Sequence, residues 1–164
     1  MPNSLRNLLT SLCIITTISA CGFQLRGNID LPSSWQSVRL ISTNPNGDLS
    51  RELQASLRVI GVELDNTAEV ILKLGNEQFR RRSVSVGTGA RANRYELELS
   101  TQLTISDNKG AVLMAPSNLS VLKLMNHDPN NVVGEEEEIR LLRAEMRAEL
   151  VQRILRGMRT QASK

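Results

Sequence analysis

Five arginines fall between residues 80 and 94, with no carboxylate among them: Arg80, Arg81, Arg82, Arg91 and Arg94. A guanidinium presents a planar fork of N–H donors that matches two oxygens of a phosphate. The stretch is therefore a candidate polyanion site. An edge strand guarded by charge, or arginines solvating a loop, fits the same residues equally well. Other chemistry is sparse. His127 is the only histidine and stands beside Asp128 in an Asn/Pro-rich loop. A Ser-His-acid set would have to use it, yet the sequence has no Gly-x-Ser-x-Gly elbow. No Cys/His cluster offers a metal site, and Gly87-Thr88-Gly89 is too short for a phosphate loop. The expectation is a protein without catalytic residues, metal or cofactor.

Cys21 carries a different chemistry. Met1 to Asn7 is short and polar with one charge, Arg6, and Leu8 to Ile18 is mostly apolar and uncharged. That run is shorter than the roughly 20 residues a bilayer crossing needs, so residues 1–20 read as a cleaved signal peptide. Ile18-Ser19-Ala20-Cys21 matches a lipobox, in which small residues fit the peptidase and the thiol takes a diacylglycerol thioether. Cys21 is thus the expected lipid-attachment site and membrane anchor. Gly22 rather than Asp after it resembles the bacterial signal for sorting to the outer membrane.

Cleavage discards Cys13 and lipid consumes Cys21, so core packing alone must hold the fold. The mature chain keeps 19 basic against 17 acidic residues, and placement of charge matters more than the sum. An exported lipoprotein meets little nucleic acid. The abundant polyanion of that compartment is lipopolysaccharide (LPS), whose lipid A bears phosphates. Phe23, Trp35, Phe79 and Tyr95 are the only aromatics, too few to favour a base- or sugar-stacking platform.

The elements that must position these residues follow from periodicity. Residues 21–34 read as a lipidated, irregular lead, and residues 35–160 as a single domain. Val38, Leu40 and Ser42 mark a first strand, and Asn44-Pro45-Asn46-Gly47 a turn. Asp48 is placed to cap a helix with its carboxylate. Leu49, Leu53, Leu57 and Ile60 form the apolar stripe of that helix, and Gly61 its left-handed stop. Val70, Leu72 and Leu74 begin a second strand that runs on through Phe79 and is ended by Arg80-Arg81-Arg82. In the third, Tyr95, Leu97, Leu99, Thr101, Leu103 and Ile105 face one side, with polar residues between them. Asp107-Asn108-Lys109-Gly110 turns into a fourth strand, where Pro116 signals an edge or a bulge. A long helix over 135–158 packs Ile139, Leu142, Met146, Leu150 and Ile154, with Glu135 to Glu138 at the positive end of its dipole. The order βαβββα predicts an α+β fold, two helices packed on one face of a four-stranded mixed sheet.

The run Cys21-Gly22-Phe23-Gln24-Leu25-Arg26-Gly27, then Leu31-Pro32, resembles the LPS-assembly lipoprotein family LptE. Pro45-Asn46-Gly47-Asp48-Leu49-Ser50-Arg51, Gly61-Val62-Glu63-Leu64, the strand entry at Tyr95 and the acid-led last helix continue the resemblance over most of the mature chain. It implies a non-enzymatic outer-membrane lipoprotein that forms a heterodimer with the large β-barrel LPS-assembly protein. Such a protein sits within the barrel lumen as a plug, supports barrel assembly and binds LPS for delivery to the outer leaflet. It also implies LPS contacts at basic residues around the second-to-third-strand loop and on the fourth strand. Here those are Arg80, Arg81, Arg82, Arg91, Arg94 and Lys123. The loop departs from better-known members at Gly87-Thr88-Gly89. A scaffold or assembly chaperone that binds no LPS is the alternative, and a hydrolase using His127 a third.

Overall fold

The alternation at Tyr95 to Ile105 becomes the spine of the sheet, strand β5 (Ala92–Asp107). The computed structural model describes residues 31–86, 92–126 and 132–163. In it Leu97, Leu99, Leu103 and Ile105 are fully buried on one face of β5, with Thr101 beside them and Tyr95 half-buried. Around this spine lie β1 (Ser37–Ser42), α1 (Asp48–Val59), β2 (Glu63–Leu64), β3 (Val70–Leu74), β4 (Gln78–Val86), β6 (Val112–Asn126) and α2 (Val132–Ala162).

The expected class, α+β with two helices against a mixed sheet, is present, but the strand count and order need correcting. Among the described residues the sheet has six strands rather than four, and the order is βαβββββα. Two local features account for the difference. First, the predicted second strand breaks at Gly75-Asn76-Glu77 into β3 and β4, which lie end to end along the same edge of β5. Three residues there stand opposite two of β5, so one residue bulges out of the ladder. Gly75 holds the break against β5. Its N–H donates to the Gln102 carbonyl at 2.8 Å, and a Cβ on it would come within 3.3 Å of the Gln102 backbone. Second, the chain leaving α1 pairs briefly with β1 as β2, Glu63 N–H donating to the Gln36 carbonyl at 2.8 Å.

β1 pairs β3 in parallel across α1, whereas β4, β5 and β6 form an antiparallel meander, as expected. Pro116 sits where the β5–β6 ladder slips by a residue, and β6 is an edge strand. Asp107 organises the hairpin. Its carboxylate accepts from the Lys109 and Ala111 N–H groups at 2.9 and 2.7 Å, and Gly110 takes the left-handed φ of +90°.

Both helices supply the other half of one core. α1 contributes Leu49, Leu53 and Leu57; α2 contributes Met146, Leu150, Val151, Ile154, Leu155 and Met158. These meet Val38, Val70, Leu72, Leu74, Val121, Met125 and the β5 leucines on the inner face of the sheet. Ile139 and Leu142, nearer the start of α2, only flank the core.

The ends of α1 divide the expectations. Gly47, not Asp48, is the N-cap residue, and no side chain caps the helix. The Asp48 carboxylate is engaged instead by Arg51 at 2.5 Å and by Arg147 at 3.2 Å. At the other end Gly61 has φ +79°, with Val62 N–H returning to the Leu57 carbonyl at 2.9 Å and Gly61 N–H to that of Arg58 at 3.0 Å. This is the paired bonding of a Schellman cap. No heavy atom lies within 4 Å of a Cβ built on Gly61, so Gly61→Ala meets backbone strain alone. It is expected to cost about 1 kcal/mol in urea unfolding; a loss near zero would mean that the cap relaxes.

Candidate functional site

The period of a strand divides the arginine run. Arg80 lies opposite Glu98 and Arg82 opposite Glu96, on the sheet face away from the helices, while Arg81 lies opposite buried Leu97 on the helix side. Arg94 shares the outer face with Glu96 and Glu98, two and four residues along β5. Lys123 stands opposite Leu97 from β6, hence on the helix side. Arg91 and Cys21 lie outside the described residues, as does His127.

The six basic candidates therefore do not form one patch. On the outer face, Arg82 donates to Glu96 Oε1 at 2.6 Å, and Arg80 reaches only Gln78 Oε1 at 3.3 Å. Neither Arg80 nor Arg94 has a carboxylate partner among the described residues. Arg80, Arg82, Glu96, Glu98 and Leu122 line a shallow cavity of about 380 Å³. Leu122 and Leu124, 57% and 60% exposed, continue it across β6. This surface can grip one or two phosphate groups at Arg80 and Arg94, while the leucines cover apolar chain. Glu96 and Glu98 limit how much negative charge it accepts.

On the helix side the basic residues tie elements together. The Arg81 guanidinium stacks 4.7 Å from the centre of the Tyr95 ring and donates to Glu135 Oε1 at 3.2 Å. Glu135 is buried at the start of α2, so Arg81 joins β4 to that helix. Lys123 pairs with Glu145 and ties β6 to the same helix.

A second charged group went unnoticed in the sequence. Glu77, in the break between β3 and β4, accepts from Arg143 Nε and Nη2 at 2.9 and 2.7 Å and from Arg147 Nε at 2.6 Å. Arg147 reaches on to Asp48, and Arg143 lies 5.1 Å from the Phe79 ring. Burial pushes the Glu77 carboxyl up, but hydrogen bonds from Arg147 and then Arg143, with their charges, outweigh it and hold the group below its ordinary value of 4.5. A polar cleft of about 530 Å³ opens beside it, between the Asn44–Ser50 turn and Gly75–Glu77. Ser50, buried there, donates to the Asn44 carbonyl at 2.7 Å and lies 2.6 Å from the Ser42 hydroxyl. The only sequence signal was one carboxylate interrupting an otherwise strand-like run. Its partners lie 66 and 70 residues away.

Known proteins share this architecture. The solution structure of lipoprotein B from Nitrosomonas europaea superposes with a TM-score of 0.73 at 20% identity, over 87% of this chain and 93% of that one. Rare lipoprotein B from Shewanella oneidensis superposes at 0.69 and 22% identity, over 76% and 94%. At such identities the likeness speaks for the fold. The sequence reaches further. It is 27% identical over 163 residues to the LPS-assembly lipoprotein LptE of Photorhabdus laumondii, covering 98% of this chain and 88% of that protein. The protein of the same name from Yersinia pestis is 26% identical over 166 residues, covering 98% and 78%. The sequence profile of the family LptE, lipopolysaccharide-assembly, matches residues 35–158. That span takes in both helices and all six strands but for the last residues of α2, and the chain belongs to the lipopolysaccharide-assembly lipoprotein family LptE.

Proposed function

We propose that this chain is the lipidated partner of the large outer-membrane β-barrel LPS-assembly protein. It plugs the barrel lumen, supports barrel assembly and binds LPS for delivery to the outer leaflet, with no enzymatic step. Cys21 carries the lipid that holds it to the outer membrane facing the periplasm. Family membership supports the reading, as do the names of the relatives. Among the described residues no helix is long and apolar enough to cross a membrane. Along β4 and β5 the outer sheet face is polar, with Arg80, Arg82, Arg94, Glu96 and Glu98, which suits the wet interior of a barrel.

The observation that carries the LPS reading is Arg80, exposed on the outer face without a carboxylate partner among the described residues, next to Leu122 in a shared cavity. Cation and apolar surface together suit an amphiphile with phosphates. Arg80→Ala/Arg94→Ala is expected to weaken LPS binding by about tenfold at low salt, a modest effect because exposed charges are screened. Arg81→Ala, whose guanidinium is committed to Tyr95 and Glu135, should leave that affinity within about twofold. Equal affinities for wild type and the double variant would remove the outer-face site. The scaffold alternative draws on Glu96 and Glu98, which place negative charge among the arginines; it predicts no salt-sensitive LPS affinity at all. Affinity purification of the full-length lipoprotein from outer membranes tests the partner, and absence of a co-purifying large barrel would defeat the plug.

A further inference from the structure

The sheet leaves β6 open along one side, since among the described residues it pairs only with β5. Which backbone groups face that side follows from the hydrogen bonding. Gly75 N–H donates to the Gln102 carbonyl, so even-numbered residues of β5 turn their N–H and carbonyl groups toward β3 and β4, and odd-numbered ones toward β6. The bond from Asp107 N–H to the Ala111 carbonyl agrees with this. Ser120 lies opposite Ser100, hence its backbone groups point off the sheet, as do those of Asn118, Leu122, Leu124 and Asn126. Exposed edges are ordinarily blunted by charge, proline or a covering element. β4 carries Arg80, Arg81 and Arg82 along its open side. In β6 the bulge at Pro116 disrupts the first part, but Ser117–Asn126 is a regular ladder. Its one charge, Lys123, is drawn to Glu145 on the helix side.

Onto that ladder α2 sends Arg153. Its Nη1 donates to the Ser120 carbonyl at 2.7 Å, and its Nη2 to Glu149 Oε1 at 2.8 Å. We propose that the open side of β6 is a strand-pairing surface that fits a second copy of this chain, and that Arg153 keeps it closed. The inference goes beyond the function proposed above and does not depend on it.

The edge is complementary to itself. In an antiparallel pairing about a two-fold axis at Leu122, the two Leu122 side chains stand together, Ser120 meets Leu124 of the second copy, and Asn118 meets Asn126. No charge lies on the outer face of this ladder, and exposed Leu122 and Leu124 become covered. The Ser120 carbonyl is the acceptor that Leu124 N–H of the second copy requires, and Arg153 occupies it. Pairing must break that contact twice, once in each copy.

Sedimentation of the full-length chain in neutral detergent tests the proposal. Wild type is expected to remain monomeric, while Arg153→Ala associates at least tenfold more tightly. Arg153→Gln, run in parallel, keeps a polar side chain of intermediate length and should act in the same direction. Adding Leu122→Lys to Arg153→Ala sets two ammonium groups face to face at the axis and should restore the monomer. Circular dichroism checks that each variant is folded. Association no stronger than wild type in both Arg153 variants overturns the proposal; so does association that survives Leu122→Lys.

Discussion

Glu77→Gln is expected to destabilise the fold by about 3 kcal/mol, or about 10 °C in melting temperature, and to remove much of its acid sensitivity. The size follows from what is left behind. Glu77 and Arg147 side chains are only 12% and 11% exposed. Removing the carboxylate strands a guanidinium that folding has taken from water, leaving Asp48 at 3.2 Å as its remaining ion pair. The acid sensitivity has a definite sign. The Glu77 carboxyl sits below its ordinary value of 4.5 in the fold, so the stability it contributes is complete above that pH and is lost as pH falls through the lower folded value. Asp48, lowered by its hydrogen bond to Arg51 and by Arg147, acts in the same sense. Glu52 is raised by burial and acts in the opposite one. Both persist in the variant, although Glu52 there loses the like-charge push of Glu77, so the difference between the two melting curves reports Glu77 together with that relief. Wild type and Glu77→Gln should converge as pH drops below 4.5; a gap that stays constant to pH 3 would rule the ion cluster out as the source.

The same cluster marks where sequence reasoning stopped. Local rules served well where the cause was local: period two in β5, the left-handed glycine at 61, the Asp107–Gly110 turn, the proline at a bulge. Each is settled within a few residues of chain. The break at Gly75-Asn76-Glu77 was missed because its cause is a long-range one, the bonds of Gly75 to Gln102 and of Glu77 to α2. Asp48 failed as a cap for a similar reason, its carboxylate being claimed partly from a helix about a hundred residues onward. The split of Arg80, Arg81 and Arg82 between two faces was within reach. Taking the three together as the end of the second strand hid it; carrying the alternation through them would have set Arg81 apart. Lys123 was likewise separable from the outer-face arginines by the parity of Val121 and Met125. The expectation of lipid attachment at Cys21 came from the N-terminal motif, and the family resemblance from short motifs spread along the chain, which need no fold to be read.

Leu99→Ala is expected to cost about 3–4 kcal/mol, against about 0.5 kcal/mol or less for Leu122→Ala one strand away. The contrast tests whether the inner face of β5 is the mechanical support of the outer one. Leu99 is fully buried at the centre of the meander, opposite Phe79 on β4 and Val121 on β6. Truncation removes three carbons from a place where neighbours on both flanking strands are fixed by their own ladders, so the void can close only in part. Leu122 already stands 57% in water, and shortening it opens no cavity. Next to Leu99 in the chain is Glu98, whose register opposite Arg80 places that arginine on the outer face. Loosening Leu99 should therefore raise amide exchange in β4 and β6 together, with Arg80 and Arg82 among the first positions to lose protection. If exchange rises in β6 alone, the two edges are held independently, and the outer-face arginines owe their placement to β4 rather than to the core beneath it.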